Sequence, residues 1–178
     1  MPWKAMTTVM LAAMLIGMAP PAAHAATLFE AHVNFQPCDA PVPAGYVADC
    51  GQTHDSTRGY GWNEDRTRYT RWRHLVSDLR LDTLIRLDEP YTPTEISPSW
   101  EIDGPRGTYD VTVSVGDPTG HGISTVTVNG VVAISEFHSS LRHPFKQATV
   151  RVTGSGVALW DQHEWQSRWD YVDIVQVS

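Results

Sequence analysis

The stretch ISTVTVNGVVAI, residues 123–134, decides the fold class. Val126 and Val128 alternate with threonines before Asn129-Gly130, and a second apolar arm follows it. Asn and Gly both accept the positive φ of a type I′ turn, so the stretch reads as a β-hairpin. Period two continues outward from it. TYDVTVSV, 108–115, puts Tyr109, Val111, Val113 and Val115 on one face, and FEAHVNF, 29–35, does so with Phe29, Ala31, Val33 and Phe35. DTLIRL, SWEI, QATVRV, GVALW and YVDIVQV supply further strands, with a tight turn expected at Gly154-Ser155-Gly156. No segment after residue 25 keeps a 3.6-residue apolar face; residues 71–84 have leucines without one. Some eight short strands punctuated by Gly, Pro and Asn predict an all-β chain, an antiparallel β-sandwich.

Residues 1–25 read as a signal peptide. Lys4 gives a positive start, TVMLAAMLIGMA an apolar centre, and Ala23-His24-Ala25 the small residues of a cleavage site. The apolar run is short for a membrane span and runs into Pro20-Pro21. We expect cleavage after Ala25, export to the medium or a periplasm, and one monomeric domain over residues 26–178. The formal net charge of −7 makes nucleic acid and anionic membranes poor partners. Cys38 and Cys50 are the two cysteines, and an exported chain has one way to pair them. A bridge across that Pro-, Ala- and Gly-rich loop is worth about 3 kcal/mol.

Several motifs, taken in order, carry a resemblance. They are VNFQP at 33–37, PVPAGYVADCG at 41–51, GYGWN at 59–63, Arg71-x-Arg73, RLDTL at 80–84 and WEI at 100–102. GTYDVTVSVGDP at 107–118, the VTVNGVVA hairpin and YVDIVQV at 171–177 complete the series. In these the chain resembles a galactose-binding-like module of the malectin and carbohydrate-binding-module type, found in bacterial secreted carbohydrate-active proteins. The resemblance implies a jelly-roll sandwich, a carbohydrate ligand, and often one structural calcium near the first and last strands. Asn34 and Asp173 occupy the matching positions, polar residues amid apolar strands, and calcium takes such oxygen ligands. The chain departs from the pattern at 161–170, where DQHEWQSRWD replaces a small Gly- and Asn-rich loop.

That departure is the first candidate for ligand contact. Trp165 and Trp169 offer aromatic faces for the C–H face of a sugar ring, with His163, Glu164, Arg168 and Asp170 for its hydroxyls. The bland alternative is that the indoles cap the core, as Trp62, Trp100 and Trp160 are expected to do inside strands. RTRYTRWRHLVSDLR, 66–80, is the second candidate, holding five of the eleven arginines. Arg71, Arg73 and Arg80 read as internal ion pairs or carbonyl clamps, with Asp65, Asp78 or Asp82 as partners. Arg66, Arg68, Tyr69 and Trp72 read as a basic aromatic rim suited to a uronate carboxylate. No GxSxG, HExxH or P-loop is present, and the histidines lack zinc-ligand spacing. A polysaccharide lyase needs a base, a carboxylate-neutralising cation and an acid, roles open to Tyr69, Arg71 and His74. A hydrolase would need paired carboxylates, with Glu164 and Asp170 or Asp161 available. The residues therefore point first to a non-catalytic polysaccharide-binding protein. A small lyase or hydrolase, or an envelope protein-interaction module, are the alternatives.

Overall fold

Two strands, each more than twice as long as any the sequence marks, organise the molecule. In the computed structural model, which describes residues 28–87, 98–161 and 167–178, SWEI and TYDVTVSV both lie on one strand. QATVRV and GVALW likewise lie on one. The strands are β1 (Glu30–Phe35), β2 (Val47–Asp49), β3 (Tyr60–Trp62), β4 (Thr70–Trp72) and β5 (Thr83–Arg86). They continue with β6 (Ser99–Gly116), β7 (Ile123–Val128), β8 (Val131–His138), β9 (Phe145–Asp161) and β10 (Arg168–Gln176). Among the described residues, helix is confined to a 3-10 turn at Thr67–Tyr69 and to α1 (Leu79–Asp82). The hairpin forms as read, β7 against β8, with Asn129 at φ 44° and Gly130 at φ 85°.

Gly154-Ser155-Gly156 is not the expected turn between strands but a crease within β9. Asp103 of β6 pairs with Gly156 and Arg106 with Ser155, so Gly104 and Pro105 are extra residues against an unbroken partner. Such a bulge bends the ladder and switches which side chains face inward. Trp100 and Ile102 are buried before it; Tyr109, Val111, Val113 and Val115 are buried after it. Gly156 is required there, because a Cβ would stand 2.3 Å from the Ile102 carbonyl oxygen at φ +108°.

Folding β6 and β9 over at the crease lets one ladder supply both layers. One layer runs β2-β1-β10 and then the later half of β6 and the first half of β9, with β5 and β4 beside β10. The other runs β3, the first half of β6, the later half of β9, β7 and β8. Phe35 of the first layer lies 5.5 Å from the Trp62 ring and 5.6 Å from the Trp100 ring of the second. The result is a jelly-roll β-sandwich. It is mixed rather than wholly antiparallel, because β2 joins β1 in parallel.

Three tryptophans fix one end of the sandwich. Trp169 pairs with Val115 near the end of β6, and its ring lies 5.5 Å from Trp62, which pairs with Trp100 near the start of β6. Both ends of β6 therefore meet at this end, with the loops that leave them. Trp62 and Trp100 are core, as expected. Trp160 is not; it follows inward-facing Leu159 on β9 and is only half-buried. Beneath the tryptophans the buried Asp49 accepts N–H groups from Trp62 (2.9 Å), Trp100 (2.7 Å) and Gly51 (2.7 Å). Cys50, the next residue, is bonded to Cys38 across a Cα separation of 5.3 Å. The bridge closes the loop that carries Asp49.

Candidate functional site

At the end where β6 begins and finishes, a buried carboxylate ties three segments together. Asp117, just past β6, is fully buried and accepts Arg73 Nε at 3.1 Å and a second bond from Arg73 Nη2. It also accepts the Thr119 amide (2.9 Å) and hydroxyl (2.7 Å), and Arg168 Nε lies 2.9 Å away. Arg168 Nη1 in turn donates to the His121 carbonyl. Burial pushes the Asp117 carboxyl up, but Arg73 and Thr119 outweigh it and hold the group below the ordinary carboxylate range. The turn after β4, the loop at 117–122 and the start of β10 are thereby locked to one another.

A second carboxylate organises the turn after β4. Asp82, at the end of α1, accepts Trp72 Nε1 (2.8 Å) and the amides of His74 (3.1 Å), Leu75 (2.7 Å) and Val76 (3.0 Å). This holds His74 at φ 57°, a left-handed conformation uncommon outside glycine. Trp72 is half-buried, and the exposed His74 ring lies over it at 3.9 Å between centroids, 32° from parallel. Leu75 beside them is 60 % exposed. An aromatic ring fixed by its edge, with polar groups at its border, suits a ligand that has an apolar face and a hydroxylated rim.

The sequence-expected contacts fall into three groups. Trp165, His163 and Glu164 lie outside the described residues. Trp169, Arg168 and Asp170 are buried, at 2 %, 6 % and 0 % exposure, which corrects their reading as surface contacts. Trp169 faces inward on β10 and packs against Trp62 and Phe35. Asp170 sits at a β10 bulge with one oxygen bonded to Ser114 Oγ at 2.9 Å. Complete burial drives its carboxyl well above the usual range, and Asp117 adds to the shift. Trp72 and Arg68 form the third group, the first half-buried and the second exposed.

The 66–80 stretch divides differently from its sequence reading. Arg66 is 1 % exposed and no part of a rim: its Nη2 donates to the Leu87 carbonyl and its guanidinium covers the Tyr69 ring at 5.0 Å. Arg71 is a carbonyl clamp on Arg68 (2.9 Å) and Thr70 (2.7 Å), and Arg80 pairs with Asp78 at 2.7 Å. Of the residues set aside for a lyase, Tyr69 lies under the Arg66 guanidinium, Arg71 clamps backbone carbonyls and His74 lies over the Trp72 ring. Asp117 was missed at the sequence level. Its only sign is a strand-ending Gly-Asp-Pro, and its arginine partners are 44 and 51 residues away (117 − 73; 168 − 117).

For calcium, Asn34 is a fitting donor. It is fully buried, and among the described residues its Oδ1 has no hydrogen-bond partner, while its amide donates to Thr83 Oγ1 and Gln36 Oε1. Asp173 shares that face of the sheet, opposite His32, whose Nδ1 is 2.8 Å from Asp173 Oδ1. Among the described residues no group of three or more His, Cys, Asp or Glu is placed to hold a metal ion.

The fold has solved counterparts. Protein YXIM of Bacillus subtilis superposes with a TM-score of 0.59 at 15 % identity, over 84 % of this chain and 40 % of that one. A calcium-binding mutant of Bacteroides uniformis beta-glucuronidase 2 gives 0.55 at 11 %, over 84 % and 18 %. A chain from the complex of the plant peptide RALF23 with FER and LLG2 gives 0.52 at 9 %, over 84 % and 40 %. This chain thus spans less than half the length of these counterparts, and the likeness is one of fold. No family model and no curated protein matches the sequence.

Proposed function

We propose that the protein is an exported, non-catalytic carbohydrate-binding protein. It takes a polysaccharide, uronate-containing in the preferred case, at the rim built by the 72–76 turn and the 117–122 loop. The observation that carries the proposal is Trp72, a half-exposed ring held by its edge on Asp82 beside the Arg73–Asp117–Arg168 lock. Arg68 is a further expected contact, as are His163, Glu164 and Trp165, which lie outside the described residues. A sandwich of this type inside a beta-glucuronidase agrees with a saccharide ligand. Export rests on the apolar leader and agrees with the Cys38–Cys50 bridge, which persists in oxidising compartments. Among the described residues no helix is long and apolar enough to cross a membrane.

The test is to incubate residues 26–178 with neutral and uronate-containing polysaccharides and follow retention and products together. Retention in a polysaccharide gel, lost with Trp72→Ala, and no new reducing or unsaturated ends is the expected result. Unsaturated ends absorbing in the ultraviolet would replace binding with lyase chemistry. Absence of both retention and product would favour a protein-binding surface. The proposal includes one structural calcium held by Asn34 and Asp173, whose charge would tie β1 to β10. A chelator should then lower the thermal midpoint and added calcium restore it; an unmoved midpoint removes the ion.

A further inference from the structure

His74 occupies the place on Trp72 where the proposed site would seat a sugar ring. The two rings lie 3.9 Å apart and 32° from parallel. They are held by different means. Trp72 is fixed through its indole N–H on Asp82, and the backbone amides of His74, Leu75 and Val76 fix the turn on the same carboxylate. The His74 side chain is exposed, and among the described residues its ring nitrogens have no hydrogen-bond partner. A loosely held aromatic therefore covers a firmly held one. The His74 backbone that carries this ring is left-handed, at φ 57°.

We infer that His74 is a displaceable lid on Trp72, and that a saccharide binds by exchanging its apolar C–H face for the imidazole. The inference rests on the reading of Trp72 as a saccharide platform and adds a competing occupant to it. Stacking is gained once and lost once in the exchange, so the lid weakens binding by the strength of the His74–Trp72 contact. It also selects for rings with a continuous C–H face, since an edge or a hydroxyl cannot replace the lost stack. While no ligand is bound, the imidazole keeps water off the indole face.

The lid makes an opposite forecast from a contact residue. His74→Asn keeps a side chain that tolerates the left-handed backbone but is too short to cover the ring. It should bind the retained glycan about two- to tenfold more tightly, the range set by an aromatic pair. Trp72→Ala should abolish retention, and His74→Asn should give no gain in that background. In the unliganded wild-type protein, ring-current shielding by Trp72 should move the His74 Cε1 and Cδ2 proton resonances upfield. Saturating trigalacturonate or galactotriose, whichever polymer is retained, should return them toward exposed-histidine positions. Unfolding midpoints of both variants confirm that they are folded. If Trp72→Ala loses binding while His74→Asn binds equally or more weakly, the lid is overturned and the site stands. If Trp72→Ala binds as the wild type does, or no glycan is retained, the site reading falls and the lid with it.

Discussion

At the scale of single residues, buried carboxylates govern this molecule, and each is handled differently. Asp49 is surrounded by N–H donors, yet burial still pushes its carboxyl above the ordinary range. Trp100→Phe keeps the ring packed against Phe35 while removing one donor to Asp49. We expect a loss of about 1–3 kcal/mol, measured as a lower urea midpoint at unchanged slope. Asp170 accepts a hydrogen bond from Ser114 on one carboxyl oxygen and has a raised carboxyl. A carboxyl that is raised on folding stabilises fully below its unfolded value of 3.8, and that stabilisation is lost as pH climbs toward the folded value. Asp170→Asn removes this titration. The variant's stability relative to wild type should therefore improve from pH 4.5 to pH 7.5 in paired urea titrations, and a constant difference would refute the assignment. Asp49 shifts in the same direction, which is why the comparison is made between variant and parent.

At the scale of elements, the crease in β6 and β9 is the feature on which the rest depends. Without it the two long strands would form one flat ladder, and Trp100 and Val115 would not meet at the same end. Gly156→Ala meets both a carbonyl at 2.3 Å and a positive φ, whereas Gly130→Ala at the hairpin meets the positive φ with nothing within 4 Å. We expect Gly130→Ala to cost about 1 kcal/mol and Gly156→Ala at least about 2 kcal/mol. Thermal midpoints of the two variants check this, and equal losses would mean that crowding at the crease is relieved elsewhere. The first half of β9 pairs with β6 alone among the described residues, and Lys146 and Arg151 stand along it. Charges of this kind discourage an exposed edge from recruiting another strand.

At the scale of the whole molecule, charge sets what the surface attracts. With a formal net charge of −7 and its arginines largely paired with Asp117, Asp78, Asp110 and carbonyls, the chain presents little positive field. Double-stranded DNA should show no retention at about 0.15 M salt, and a mobility-shift assay checks this directly. Retention of DNA there would contradict the charge reading.

The all-β class, the hairpin at Asn129-Gly130, the Cys38–Cys50 bridge and the inward faces of β1 and β6 were legible in the sequence. Each depends on alternation or on residues near in the chain. The clamps at Arg71 and Arg80 were legible for the same reason, since their partners lie within three residues. The site was less so. Nothing local distinguishes Trp169, buried against Trp62, from an exposed tryptophan, because burial depends on which layer closes over it. Nor does local sequence show Arg73 and Arg168 sharing Asp117, or Asp82 gathering the turn beneath His74. Alternation determined which residues form strands. The crease, by bringing both ends of β6 to one end of the sandwich, decided which of the remaining polar and aromatic residues meet.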